Sequence, residues 1–234
     1  MVNSSAIWTL VEYESHRNRG DVIAETRRTG LPVEFAQAPM RTVRTADAGA
    51  VYAHPRTQMA RLERQGLLHR VAVGYYVVVP PERVGTDWRP TIEAAAAGIA
   101  TAAVGPGRVV LMGVTAARMH NVIHRALATA IVAVPDDRRD ITLRDRGGLV
   151  HFVQRKTDPL DAELMATELG QCLVTTPEQT VLDLAHRPDL GNAGNEVHDA
   201  IAALLARCDD RTLDRLASEQ RLRAALTRVR RATR

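Results

Sequence analysis

The sequence predicts an α+β protein in two parts, and three observations carry that prediction. A short amphipathic helix is followed at once by two runs of β-formers, in "HPRTQMARLERQGLLHRVAVGYYVV" at 54–78. A connector holding both Pro and Gly, "PPERVGTDWRP", comes next at 80–90. Beyond it helical and strand patterns alternate, and the chain closes on helices. The expected organisation is a first domain over 1–80 with a helical extension at its front, and a mixed α/β domain over 91–234.

Each element has its reason. "AIWTLVEYESH" and "GDVIAETRRTGLP" read as helical pieces, the second stopped by Gly30 and Pro32. In "RTADAGAVY" Thr45 is expected to N-cap a helix, with Asp47 in its first turn where a carboxylate suits the helix dipole. Pro55 suits the first position of the next helix, because its missing N–H would be unpaired there anyway. That helix should run to Gln65 and stop at Gly66, which can take a left-handed C-cap. "LLHRV" and "YYVVV" then read as strands joined around Ala72 to Gly74. In the second part, "TIEAAAAGIATAAVG" and "VTAARMHNVIHRA" read as helices. "RVVLMG", "TAIVAVP", "DITLRD", "LVHFVQRK" and "QCLVTT" read as strands. "PEQTVLDLAHRP", "NEVHDAIAALLARC" and "DRTLDRLASEQRLRAALTRVRRATR" are the closing helices.

Composition narrows the function. The chain has 234 residues, 45% apolar and 25% charged, enough for a sizeable core. Aromatics make up only 3%, which argues against a stacking surface for single-stranded nucleic acid. Cys172 and Cys208 have no CxxC spacing and offer neither a disulfide framework nor a zinc site. No basic start precedes an apolar stretch, and no apolar window is long enough to span a bilayer. A soluble cytoplasmic protein is expected, with no membrane partner.

The net charge of +4 hides an asymmetry. Residues 41–76 carry six Arg against two acids, whereas residues 158–219 carry thirteen acids against four Arg. The last fourteen residues carry six Arg and no acid. Such a distribution points to one face that meets an anion and another that does not.

The helix at 55–65 gives that anion a place. At helical spacing Met59 and Leu62 share a face that would pack on a preceding helix. Thr57, Gln58, Arg61, Arg64 and Gln65 lie on the other side. A helix with an apolar back, a cationic front, a helix before it and a β-hairpin after it reads as a winged helix-turn-helix. Its N-terminus offers backbone donors and a positive dipole end to phosphate. Arg and Gln can pair with guanine and adenine edges in the major groove. Arg56, Thr57, Gln58, Arg61 and Arg64 are therefore the candidate DNA contacts on the helix, with Arg70 and Tyr75 from the hairpin. Winged-helix units also serve as protein-interaction modules, and the residues alone leave that alternative open.

Catalytic patterns are weaker. His120 and His124 in "HNVIH" have zinc-ligand spacing, but Asn121 stands where a metalloprotease needs Glu, so they read as ordinary helix residues. Asp140 followed by Gln154 and Lys156 loosely fits a metal-dependent nuclease, in which a carboxylate holds the metal and the Lys faces the phosphate. The second carboxylate of such a site is missing. No phosphate-binding Gly loop and no GxSxG is present. No cofactor is expected. "TTPEQTVLDL" starts as a capping box, with Thr176 as cap and Gln179 at the third helical position.

Three stretches, in order, resemble one family. They are "MARLERQGLLHRVAVGYYVV", "VLMGVTAARMHNVIH" and "LVTTPEQTVLDLAHRPDLGN". They are similar to the AbiEi antitoxins of abortive-infection type IV toxin–antitoxin systems. The last stretch, with its T-x-E-x-T-x-x-D-L pattern, is the most distinctive. The resemblance implies a winged-helix DNA-binding domain joined to an α/β antitoxin domain, with no enzymatic activity. It implies an autorepressor that binds double-stranded DNA at inverted repeats in its own promoter, in keeping with a homodimer on DNA. It also implies a cognate nucleotidyltransferase-like toxin, countered directly or indirectly. Forty residues before the helix–hairpin core and an Arg-rich tail depart from the family pattern.

Overall fold

The computed structural model describes residues 30–232. The helical readings over residues 1–29 lie outside them. A short helix α1 (Val33–Ala36) and a 3₁₀ turn (Pro39–Arg41) lead into β1 (Thr42–Arg44). A 3₁₀ segment (Asp47–Ala50), helix α2 (Pro55–Arg64) and the antiparallel strands β2 (Leu68–Ala72) and β3 (Tyr75–Val78) follow. β1 pairs with β3, so the small sheet has the order β1-β3-β2.

Local chemistry explains these bounds. Pro55 opens α2. At its end Gly66 takes φ +71°, Leu67 N–H donates to Leu62 C=O (3.0 Å) and Gly66 N–H to Glu63 C=O (2.9 Å). These two bonds close the last turn and release the chain straight into β2. The helix expected from Thr45 is instead a single 3₁₀ segment. Thr45 caps nothing: its N–H donates to Gly74 C=O (2.9 Å), which holds it beside the hairpin. Asp47 turns back to Arg44 and receives two hydrogen bonds of 2.7 Å.

The large sheet is mixed. Its strands are β4 (Val110–Leu111), β5 (Thr129–Val134), β6 (Ile141–Thr142), β7 (Leu149–Gln154), β8 (Ala162–Thr167) and β9 (Gly170–Thr175). They run in the order β6-β7-β5-β4-β9-β8, with β5–β7 and β4–β9 parallel. Strand β8 adds an element the sequence reading lacked.

Helix α3 (Ile92–Val104) touches both β1 of the small sheet and β5 of the large one. Apolar residues on nearly every side suit a helix with no wet face. Its small side chains allow close approach: a Cβ on Gly98 would run into the Thr42 side chain. Helices α4 (Gly113–Met119), α6 (Gly194–Leu205), α7 (Asp210–Glu219) and α8 (Arg223–Ala232) gather around α5 (Pro177–His186).

Two helices differ from expectation. α4 stops at Met119 because Asn121 takes φ +59°, so His120 and His124 do not share a helix. The tail is two helices, broken where Arg221 takes φ +60°. The Thr176 cap holds, its hydroxyl accepting from Gln179 N–H (3.4 Å).

The small sheet has two buried faces. Val43, Leu68, Tyr76 and Val78 pack with Met59 and Leu62 of α2. Val71, Ala72 and Val77 join the core of the large sheet. The outer edge of β2 also meets the turn between β6 and β7: Ala72 bridges to Leu143, and Arg144 N–H donates to Val71 C=O (2.8 Å).

Candidate nucleic-acid interface

Packing Met59 and Leu62 inward turns the rest of α2 outward. Arg56, Thr57, Arg61 and Arg64 are exposed, and Gln58 is half-buried. Thr57, Arg61 and Arg64 fall on one stripe by helical spacing, with Arg56 beside it. Among the described residues neither Arg56 nor Arg61 has a carboxylate partner. Among the described residues Arg64 reaches only the Ala60 carbonyl (3.4 Å). No side chain caps the start of α2, so its first-turn N–H groups and positive dipole end face the same way as this cationic front.

The hairpin splits its two candidates. Arg70 lies opposite Tyr76 in the β2–β3 register, on the α2 side, with its guanidinium over the Tyr76 ring at 5.7 Å. Its Nε is enclosed and meets no acceptor among the described residues. Burial pushes the Tyr76 phenol up, opposed by the charge of Arg70 and, more weakly, Arg144, while Glu63 adds to the rise. Tyr75 is half-buried on the opposite face, packed against the large core. The structure thus brings Thr57, Arg61 and Arg64 onto one stripe with Arg56 beside it, seats Arg70 on the Tyr76 ring, and places Tyr75 apart. Sequence reading missed Tyr76, whose ring supports Arg70; its signal was its alternation with Tyr75 in a strand.

A cleft of about 330 Å³ separates this face from the large sheet, lined by Glu63, His69, Arg70, Trp88 and Asp145 among others. His69 Nε2 is hydrogen-bonded to Asp145 Oδ2 at 2.9 Å, and Arg146 donates to both Asp145 oxygens (3.0 and 2.5 Å). Burial would raise the Asp145 carboxyl, but the bonds and charges of His69 and Arg146 win and hold it far below the usual carboxylate range.

Elsewhere several of the sequence candidates are already engaged. His120 is buried and its Nε2 is hydrogen-bonded to Thr175 C=O at 2.7 Å, while His124 is exposed. Asp140 is bonded to His151 Nδ1 (2.8 Å) and accepts from Phe152 N–H (3.2 Å), with Gln154 and Lys156 exposed further along the chain. Among the described residues no three His, Cys, Asp or Glu side chains gather to hold a metal. In the tail, Arg230 pairs with Asp214 (2.9 Å) and Asp210 (3.2 Å), and Arg228 donates to the Ala185 carbonyl (2.8 Å). Burial pushes both thiols, Cys172 and Cys208, up to about 12. Among the described residues no helix is long and apolar enough to cross a membrane.

The family model for the AbiEi antitoxin C-terminal domain matches residues 108–232. The chain belongs to the AbiEi antitoxin family. The matched region of this AbiEi chain starts just before β4 and runs through α8, so it takes in the large sheet and all its helices after α3. The fold is also similar to the crystal structure of the RV2827C protein from Mycobacterium tuberculosis, with a TM-score of 0.51 and 19% identity. That match covers 76% of this chain and 66% of the other, and it concerns the fold alone. No curated protein matches the AbiEi chain.

Proposed function

We propose that this AbiEi-family antitoxin is also a DNA-binding autorepressor, and that its N-terminal part, residues 1–80, is a winged helix-turn-helix domain joined to the antitoxin domain at 91–234. The observation that carries the reading is the outer face of α2, where exposed Arg56 and Arg61 have no carboxylate partner among the described residues. The order of strand, 3₁₀ segment, helix and hairpin, with the strand returning to the hairpin, supports it. In this reading α2 enters the major groove with Arg56, Thr57, Gln58, Arg61 and Arg64, the hairpin adds Arg70, and Tyr75, on its other face, reaches DNA only at the hairpin's edge. The operator is a pair of inverted repeats in the protein's own promoter, occupied by two copies. The cognate toxin is nucleotidyltransferase-like and is countered directly or indirectly, and the protein acts in the cytoplasm without catalysis or cofactor.

A gel shift on the DNA upstream of the gene, against an unrelated fragment at two salt concentrations, tests this. Tighter and salt-sensitive binding to the upstream DNA is expected, since phosphate contacts release counterions. Equal binding to both fragments would overturn the repressor reading.

A further inference from the structure

We propose that the antitoxin domain itself supplies part of the DNA surface, with Arg144 contacting the phosphate backbone beside the stretch read by α2. The proposal rests on the DNA-binding reading above and extends its footprint onto the region matched as antitoxin.

Position comes first. The turn between β6 and β7 is laid along the outer edge of β2, through the Ala72–Leu143 bridge and the Arg144 N–H bond to Val71 C=O (2.8 Å). Paired strands lie about 4.8 Å apart, so this turn continues the small sheet sideways by one strand. Rigidity comes next. The Asp145 side chain is only 5% exposed and is fixed by His69 and Arg146, while Arg89 Nη1 donates to the Asp145 carbonyl (3.2 Å). The residue beside Arg144 is therefore anchored from three sides, and the backbone of Arg144 is fixed relative to the hairpin.

Its side chain is left over. Arg144 is exposed and has no carboxylate partner among the described residues. Several other Arg of this region are neutralised, among them Arg108 by Asp136, Arg118 by Glu93, Arg125 by Glu196, Arg155 by Asp183 and Arg230 by Asp214, so what sets Arg144 apart is its seat against the hairpin. Arg70 sits over the Tyr76 ring on the α2 side of the hairpin, and the charge of Arg144, whose backbone is bonded to Val71 one residue along the same strand, weakly opposes the rise of the Tyr76 phenol. Arg70 keeps an enclosed Nε with no acceptor among the described residues. Two unneutralised guanidinium groups at the hairpin, with Arg61 and Arg64 on α2, form a spread of cations rather than a pocket. A duplex presents one phosphate charge about every 1.7 Å of axis, which such a spread fits and a single bound anion does not.

The test is fluorescence anisotropy of the full chain on its own upstream duplex and on an unrelated duplex of equal length, across salt. Arg144→Ala should weaken binding to both duplexes alike, about three- to ten-fold, and lower the salt slope by about 0.9. Arg144→Lys should keep the slope, and Arg187→Ala, exposed beyond the end of α5, should change nothing. An unchanged slope in Arg144→Ala, with the Arg56→Ala/Arg61→Ala pair still impaired, would overturn this proposal and leave the DNA reading standing. No effect from either would overturn both. A lowered melting temperature in Arg144→Ala with an unchanged slope would mean a structural role and also overturn it.

Discussion

Arg155 and Asp183 meet at 2.6 Å, and the Asp183 side chain is only 2% exposed. Gln179 Nε2 donates to the same carboxylate oxygen (3.0 Å), and Arg155 Nη2 donates to Gln220 Oε1 (2.5 Å). One network therefore ties the end of β7 to the middle of α5 and to the turn between α7 and α8. The second oxygen, Oδ2, is enclosed without a partner among the described residues, and burial pushes the carboxyl up against the pull of Arg155. The D of the T-x-E-x-T-x-x-D-L pattern is thus an enclosed carboxyl facing a guanidinium inside the helical layer.

Removing the cation alone leaves that buried carboxyl with a single donor, the Gln179 amide. Arg155→Met is expected to cost about 3 kcal/mol, the lower end for a broken buried pair, because Arg155 itself stays a quarter exposed. The double variant Arg155→Met/Asp183→Leu should recover most of the loss, since no unpaired buried polar group remains at that position. Urea midpoints at neutral pH with unchanged slope would measure both. A double variant as unstable as the single one would contradict this account.

Asp145 should make stability depend on pH in the opposite sense to a buried, uncompensated acid. Its folded pKa is held below its unfolded one by His69 and Arg146 despite burial. The stabilisation is therefore complete above the unfolded value, about pH 4, and is lost as pH falls toward the folded value. Asp145→Asn should be less stable at pH 7 by about 1–3 kcal/mol. Its stability should also fall less steeply than that of the parent on acidification from about pH 5. Equal slopes would assign the acid sensitivity to other carboxylates.

Gly98 is where α3 admits the small sheet. A Cβ there would lie 3.2 Å from Thr42 Cβ and closer still to Thr42 Oγ1, which already donates to the Met40 carbonyl (2.7 Å). Gly98→Ala should destabilise by about 2 kcal/mol, despite the better helix propensity of Ala, because the clash is against a buried and bonded side chain. Thr42→Ala removes the hydroxyl, so the double variant should lose less than the sum of the two single changes. Thermal melting of the four proteins reads this coupling.

What the sequence made legible was local. Pro55, Gly66 and Thr176 mark element ends by backbone chemistry that acts within a few residues, and the structure keeps all three. Strand β8 was invisible because "AELMAT" prefers helix, yet six register pairs with β9 impose a strand. The early stop of α4 and the break at Arg221 depend on non-Gly residues in left-handed conformation, which propensity does not foretell. The outer face of α2 was readable from its spacing. The seating of Arg144 and Asp145 against β2 was not, because residues more than seventy positions apart meet there.

The proposed reading face makes a final division between its side chains. Gln58 is half-buried beside exposed Arg56, both in the first turn of α2. An amide offers a paired donor and acceptor that discriminate base edges, whereas an exposed guanidinium chiefly answers phosphate charge. Gln58→Ala should therefore cost about 1–3 kcal/mol on the upstream duplex and little on unrelated DNA, with the salt slope preserved. Arg56→Ala should weaken both duplexes and lower the slope by about 0.9. Binding isotherms of each variant on both duplexes across salt would separate these outcomes. Identical behaviour of the two variants would mean that α2 contributes charge alone and that sequence is read elsewhere.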